Sequence, residues 1–276
     1  MNLFLFPFFS AEDMLFIFYI MARIMGVFVI SPLLSNKSIN ASIRLILTFF
    51  TALLLAMVYY PDYRGPNPTY AVEEMNVSSP YLIFNLLFLG IRELLIGYLI
   101  GMIFNIVFEA MLLAGETIDT MIGFSTAQFL DPFSNTFQSL LGQLLVLLSV
   151  LLTLIWDYHF TFFYVIASSF NILPLGDYHL NTAVIQDIAY STSLLFVYGI
   201  KVAAIPMVIL ACGLVGIAFT IRVVPEMNLL LTGLPMRILI GYYTLMLAMH
   251  HIPPVFQTAF LQITTLVERL IEDLRL

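Results

Sequence analysis

A chain of 276 residues that is 61% hydrophobic and only 10% charged, with a mean hydropathy of +1.01, cannot present a water-soluble surface and reads as an integral membrane protein. Its net charge of −7 excludes a nucleic-acid binder, which needs a basic stripe to match phosphates, and speaks against anionic lipid as the main partner. The single cysteine, Cys212, excludes an internal disulfide, and the four histidines include no HExxH, so neither a metal site nor another cofactor is expected.

No cleavable leader is expected, because the first basic residue, Arg23, lies inside the first apolar run rather than ahead of it. Residues 2–9, NLFLFPFF, are too short to span and are broken by Pro7, which suits an interfacial or partner-covered segment. Glu12 and Asp13 mark a helix start, and Met14 to Ile30 is the first spanning candidate. The turn SPLLSNKSIN carries Lys37 and leads to Arg44, after which Leu45 to Tyr60 forms a second span stopped by Pro61. The loop from Asp62 to Pro80 has Arg64 as its one cation, so the positive-inside bias predicts a cytoplasmic Lys37/Arg44 turn and an outer loop.

Tyr81 to Leu113 is 33 residues, about 50 Å of helix at 1.5 Å per residue, against a hydrocarbon core of about 30 Å. Within it lie Arg92, Glu93 and Glu109. A centrally placed charge costs roughly 2.5 to 3.5 kcal/mol, while each Leu, Ile, Phe or Val returns only about 0.3 to 0.6, so a lone helix of this kind inserts poorly. Gly97 and Gly101, in GYLIG, form a small-xxx-small face that lets another helix approach closely. Arg92, Glu93, Gly97, Gly101 and, further on, Arg237 are read as helix-packing or intersubunit residues.

The stretch from Glu109 to Pro132, EAMLLAGETIDTMIGFSTAQFLDP, is a polar interlude between apolar runs. Glu109, Glu116 and Asp119 recur at spacings of seven and three, which places them in one sector of a helix. Gly123, Ser125 and Thr126 then weaken a helix, and Asp131-Pro132 stops one. Such a segment is either a solvated connecting loop or a polar element lining a water-filled path, and composition alone favours the loop.

Phe137 to Ile155 is the next span, followed by Trp156-Asp157-Tyr158-His159 and a further apolar run to Phe170. A bent element and a hairpin are both open here; the loop from Asp177 to Asp187, acidic and without Lys or Arg, favours the outside and a single bent crossing. Ala189 to Ile221 is again overlong, with Lys201 and Pro206 inside it, and Leu229 to Met249 is the last apolar run. His250 and His251 diverge on any regular element and read as interfacial. Gln257 to Leu276 is amphipathic, with Glu268, Arg269, Glu272, Asp273 and Arg275 near one side, and reads as a solvated end. The expected organisation is one membrane domain, 1–276, with N-terminal helices over 14–113, a loop over 114–136, C-terminal helices over 137–249 and a tail over 250–276.

Helices that are too long or too charged to stand alone, with Pro or Gly inside them, suit packing against other polypeptide, so a subunit of a larger helical assembly is expected. A secondary transporter of a small solute is the alternative; it predicts two similar halves with broken helices meeting at mid-membrane, and 14–113 shows no repeat of 137–249. An enzyme is not expected: HExxH, GxSG and GxGD are missing, and GFSTA lacks the second glycine of a nucleophile elbow.

Four stretches in order resemble the FliR/SctT family of type III secretion export-gate proteins, over about Arg23 to Gly241. They are RIMGVFVISPLLSNKSINASIRLIL, with Arg23, Pro32 and the basic turn; ELLIGYLIGM leading into LLAGETIDTMIGFSTAQFLDP; WDYHFTFFYVIASSFNILPLG, with His159; and VPEMNLLLTGLPMRILIG, with Pro225, Asn228, Gly233, Pro235, Arg237 and Gly241. The resemblance implies an all-α membrane protein of long kinked helical hairpins, packed with FliP-like and FliQ-like subunits into a helical export gate. FlhB-like and FlhA-like export proteins, unfolded secreted polypeptides and membrane lipid would be further partners, at the base of a flagellum or injectisome in the bacterial inner membrane, and the reading leans to the flagellar system. It also implies that residues 122–138 plug the closed pore, with Gly123, Phe124, Ser125, Thr126, Phe129, Asp131, Pro132 and Phe133 as plug residues. Glu109, Glu116 and Asp119 would then stand as acids at the pore mouth or pair with neighbouring subunits. Two positions depart from the family pattern: Thr126 stands where many relatives have Phe, and Phe133 replaces the usual Gly, so the seal would rest on Phe124, Phe129 and Phe133.

Overall fold

In hydrocarbon a backbone must satisfy its own N–H and C=O groups, and a sequence this apolar does so with helices. The computed structural model describes residues 11–31, 40–63, 82–123, 139–175, 181–223 and 233–275, and every regular element among them is helical. In chain order they are α1 (Ala11–Ile30), α2 (Ala41–Tyr63), α3 (Leu82–Ile122), α4 (Leu140–Ile155), α5 (Tyr158–Ile172), α6 (Thr182–Val223), α7 (Leu234–Ala248) and α8 (Ile252–Arg275). By length and composition, stretches of α1, α2, α3 and α6 can each cross a membrane, and α4 with α5 adds a fifth crossing if the pair is one broken span. The protein is thus an all-α membrane protein.

Two compact units divide the chain. The first draws on Met1–Asn105, His159–Ile188 and Thr264–Leu276, the second on Ile106–Tyr158 and Ala189–Ile263. In the first, α1 buries Phe16, Tyr19, Ile20, Ile24, Val27 and Phe28. Its contact with α3 is set by glycines: a Cβ at Gly97 would lie 1.8 Å from the Arg23 carbonyl oxygen, one at Gly26 2.2 Å from that of Leu94, and one at Gly101 2.8 Å from that of Val27. The GYLIG face therefore serves backbone-to-backbone packing within this chain. Phe104 meets Phe162 edge-on at 5.1 Å, which joins α5 to the same core.

In the second unit the later part of α3 packs on α4 and α6 by the same device. A Cβ at Gly115 would lie 2.4 Å from the Gly142 Cα, and one at Gly199 2.9 Å from Leu113 Cδ2. An aromatic cluster fills the region of the α4 break, with Tyr158 stacked on Phe260 at 4.4 Å and Trp156 on Phe256 at 6.4 Å. The break itself is made by Asp157, whose φ of 58° ends the α4 hydrogen-bond ladder in a left-handed residue, a conformation that Asp tolerates better than most.

Two expectations need correction. Helix α3 does not stop near Leu113 but runs to Ile122, so the first nine residues of the segment read as a loop, 114–122, are helical. The reason is packing: Ala114, Gly115, Ile118 and Ile122 form a buried stripe at helical spacing, and only Glu116 and Thr120 are exposed. The C-terminal tail is not a solvated end either. Helix α8 buries Ile252, Phe256, Ala259, Phe260, Ile263, Leu266, Val267, Leu270, Ile271 and Leu274, one continuous apolar face that outweighs the charges beside it. Its last turns are tied down by the Asn181 amide, which donates to the Asp273 carbonyl at 2.8 Å, and by the Arg269–Asp187 ion pair at 3.4 Å.

Candidate functional site

The segment predicted to plug a pore leaves the end of α3 and returns at the start of α4. Of its residues only Gly123 is described; Phe124, Ser125, Thr126, Phe129, Asp131, Pro132 and Phe133 lie outside the described residues. What the structure supplies is the geometry of the two roots, both in the second unit. At the first, Gly123 takes φ 96°, a left-handed value natural to glycine at a helix C-terminus, and its N–H donates to the Asp119 carbonyl at 3.0 Å. Ile122 seats against Gly241 of α7, where an added Cβ would lie 2.4 Å from Ile122 Cγ1.

At the second root, Ser139 is the N-cap of α4, its hydroxyl oxygen accepting from the Gly142 N–H at 2.8 Å. The two roots are joined by Asp119. Its Oδ2 accepts a hydrogen bond from the Ser139 hydroxyl and another from the Leu141 N–H at 3.1 Å. A carboxylate is a strong acceptor, and its charge complements the positive end of the α4 dipole. Asp119 is 4% exposed, so this tether works in a water-poor setting, where a charge-assisted hydrogen bond gains strength. Its other oxygen, Oδ1, is buried without a hydrogen-bond partner among the described residues.

The remaining sequence-predicted residues fall in separate places. Glu109 and Glu116 are exposed, whereas Asp119 on the same helix is buried; the spacing of the three acids is helical, yet their surroundings differ. Glu93 is fully buried in the first unit and pairs with Arg23, Nε to Oε2, at 2.7 Å. Arg23 also donates from Nη1 to the carbonyl oxygens of Ser169 and Leu173, at 3.2 and 3.1 Å, and its guanidinium lies 4.4 Å from the Phe170 ring centroid. It thereby satisfies carbonyls at the C-terminal end of α5, where a cation is favoured. Arg92 is part-exposed, 6.0 Å from the Phe88 ring centroid. Arg237, near the start of α7, is half-buried, with Nε lacking a hydrogen-bond partner among the described residues.

Sequence reasoning missed two partners. Ser139 is one of many serines, and nothing in its neighbourhood flags it; only the helix start that follows, LLGQLL, could have marked it as a cap. The Arg23–Glu93 pair was within reach, because a cation and an acid standing in separate apolar helices each need an opposite charge, and these two are the ones nearest the middle of their runs.

The family described as bacterial export proteins, family 1, matches residues 14–263. The chain is 25% identical to the flagellar biosynthetic protein FliR of Escherichia coli (strain K12) over 260 residues, 94% of each chain. It is 28% identical to the protein of the same name from Bacillus subtilis (strain 168) over 246 residues, 86% of this chain and 87% of the other. Against that of Aquifex aeolicus (strain VF5) the identity is 29% over 180 residues, 64% of this chain and 66% of the other.

Proposed function

Because the chain belongs to the family of bacterial export proteins, family 1, we propose that it is the FliR-type subunit of a flagellar export gate in the bacterial inner membrane, with a segment that plugs the closed pore. Family membership over nearly the whole chain, with flagellar relatives throughout, makes it a component of the flagellar type III export apparatus. The finer reading is that unfolded flagellar proteins pass through a conduit it builds with FliP-like and FliQ-like subunits, in the company of FlhB-like and FlhA-like proteins.

The observation that carries the gating half is the tether at Asp119. Residues 124–138 leave α3 and re-enter α4 at one place, joined by a buried carboxylate, so they form an excursion and not a connector that must bridge a distance. In this reading Phe124, Phe129 and Phe133 hold back water and ions by bulk, while Gly123, Ser125 and Thr126 let the segment fold aside under a passing polypeptide.

The need for partner subunits is supported by α6. Exposed large apolar side chains recur along it from Tyr190 through Phe196, Ile200, Val208, Val215 and Phe219 to Val223. That is about 50 Å of helix at 1.5 Å per residue, more than a hydrocarbon core of about 30 Å can cover, so neighbouring polypeptide must cover the rest.

The test is deletion of residues 122–133 in cells that make the whole export apparatus. The resting membrane should become permeable to small ions while the other gate subunits still assemble. Unchanged permeability with a normal particle would refute the plug.

A further inference from the structure

We propose that Asp119 is a positioning residue for the gate: by holding the first turn of α4 against the end of α3, it fixes how much free chain the segment between them has. The inference rests on the gate reading above and deepens it, because it names what sets the length of the excursion.

The chemistry is that of a helix start that cannot complete itself. The first N–H groups of α4 have no intrahelical acceptor. The Ser139 hydroxyl takes the one from Gly142, and the one from Leu141 goes to Asp119, a side chain from another helix. The same Asp119 oxygen receives the Ser139 hydroxyl proton and so orients that cap. Remove the carboxylate and two capping interactions are disturbed together. Behind them, Gly115 and Gly142 touch with no room for a Cβ, so the two backbones stay in contact one helical turn deeper. The weak place is therefore confined to 139–142. Fraying that turn would lengthen the free chain by up to about 3.3 Å per released residue. A stopper of bulky side chains must sit in register with the pore it closes, and such slack defeats it.

The wild-type subunit, Asp119→Ala, Asp119→Asn, Ser139→Ala and the 122–133 deletion are each made in cells with the complete apparatus. Three quantities are read: the amount of assembled particle, the ion leak of resting cells, and amide hydrogen exchange over the peptide that spans Leu141 and Gly142 in the purified particle. Asp119→Ala should raise exchange at this peptide roughly tenfold or more, the scale for loss of hydrogen bonds to a charged group. At wild-type particle amounts it should also leak several-fold more than wild type, though less than the deletion. Asp119→Asn keeps an acceptor oxygen toward Ser139 and Leu141 and should restore both readouts most of the way; Ser139→Ala should fall between. Should Asp119→Ala fail to assemble, Ser139→Ala carries the same test, and a particle with wild-type exchange and leak would count against the proposal.

Unchanged exchange in an assembled Asp119→Ala particle would overturn the tether. Faster exchange without leak, while the deletion leaks, would show a mere helix cap and overturn the positioning role but leave the plug standing. A deletion that does not leak would overturn the gate reading and this inference with it.

Discussion

At the scale of single residues, the chain solves one problem repeatedly: a charge placed in an apolar helix must be met by a group from another. Arg23 and Glu93 are both fully buried and 2.7 Å apart, and Arg23 spends Nη1 on the orphan carbonyls of α5. Removing one member of such a pair leaves the other buried and uncompensated. Glu93→Ala should therefore cost about 3–5 kcal/mol of stability, read as a sharp fall in the assembled, protease-resistant subunit. The double variant Arg23→Met/Glu93→Leu should recover much of it, because replacing both partners with apolar groups removes the unpaired charge. A double variant no better than Glu93→Ala would place the damage elsewhere. That charges here must be paired was legible in the sequence; which acid meets Arg23, 70 residues away, was not, since the pairing depends on Gly26 and Gly97 bringing α1 and α3 into backbone contact.

At the scale of elements, periodicity located the helices well, and it misjudged two ends for the same reason. The segment after Leu113 and the tail after Gln257 both contain charges, and both are helices because the apolar residues between those charges fall on one face. Charge density describes the outer face of a helix, whereas its fate is decided by the inner one. Helix α8 allows a direct comparison. Leu270 is fully buried and Glu272, two residues on, is exposed. Leu270→Ala should destabilise the subunit by about 2–5 kcal/mol, as for other large-to-small core changes, and Glu272→Ala by no more than about 0.5 kcal/mol. Thermal unfolding of the purified particle would measure both, and equal small effects would return α8 to the status of a solvated tail. The tether at the gate's roots was only half legible: Asp119 stood out as an acid on a helix, but its capping partners come from the far side of the segment 124–138, and no local pattern links them.

For the whole molecule, the apolar surface is the informative quantity. Helix α2 leaves Ile46, Phe49, Phe50, Leu54 and Val58 exposed, and α7 leaves Leu239, Tyr242, Tyr243 and Met246 exposed. Any one such face could meet lipid, but α6 carries its exposed face along a greater length than a bilayer offers. The family and the membrane class were legible from composition and from four ordered motifs, and the residues matched, 14–263, contain the whole of that resemblance. Which faces need partners was not legible, because a buried and an exposed leucine are the same letter. The most direct measurement is photo-crosslinking from α6 in cells that make the complete apparatus, with a photoreactive residue placed in turn at Tyr190, Ile200, Val208 and Phe219. A gate subunit should give adducts with a FliP-like or FliQ-like neighbour from sites near both ends of the helix, with the adducts lost when those neighbours are not made. Adducts with lipid alone at every site, in cells where export is active, would contradict a shared conduit.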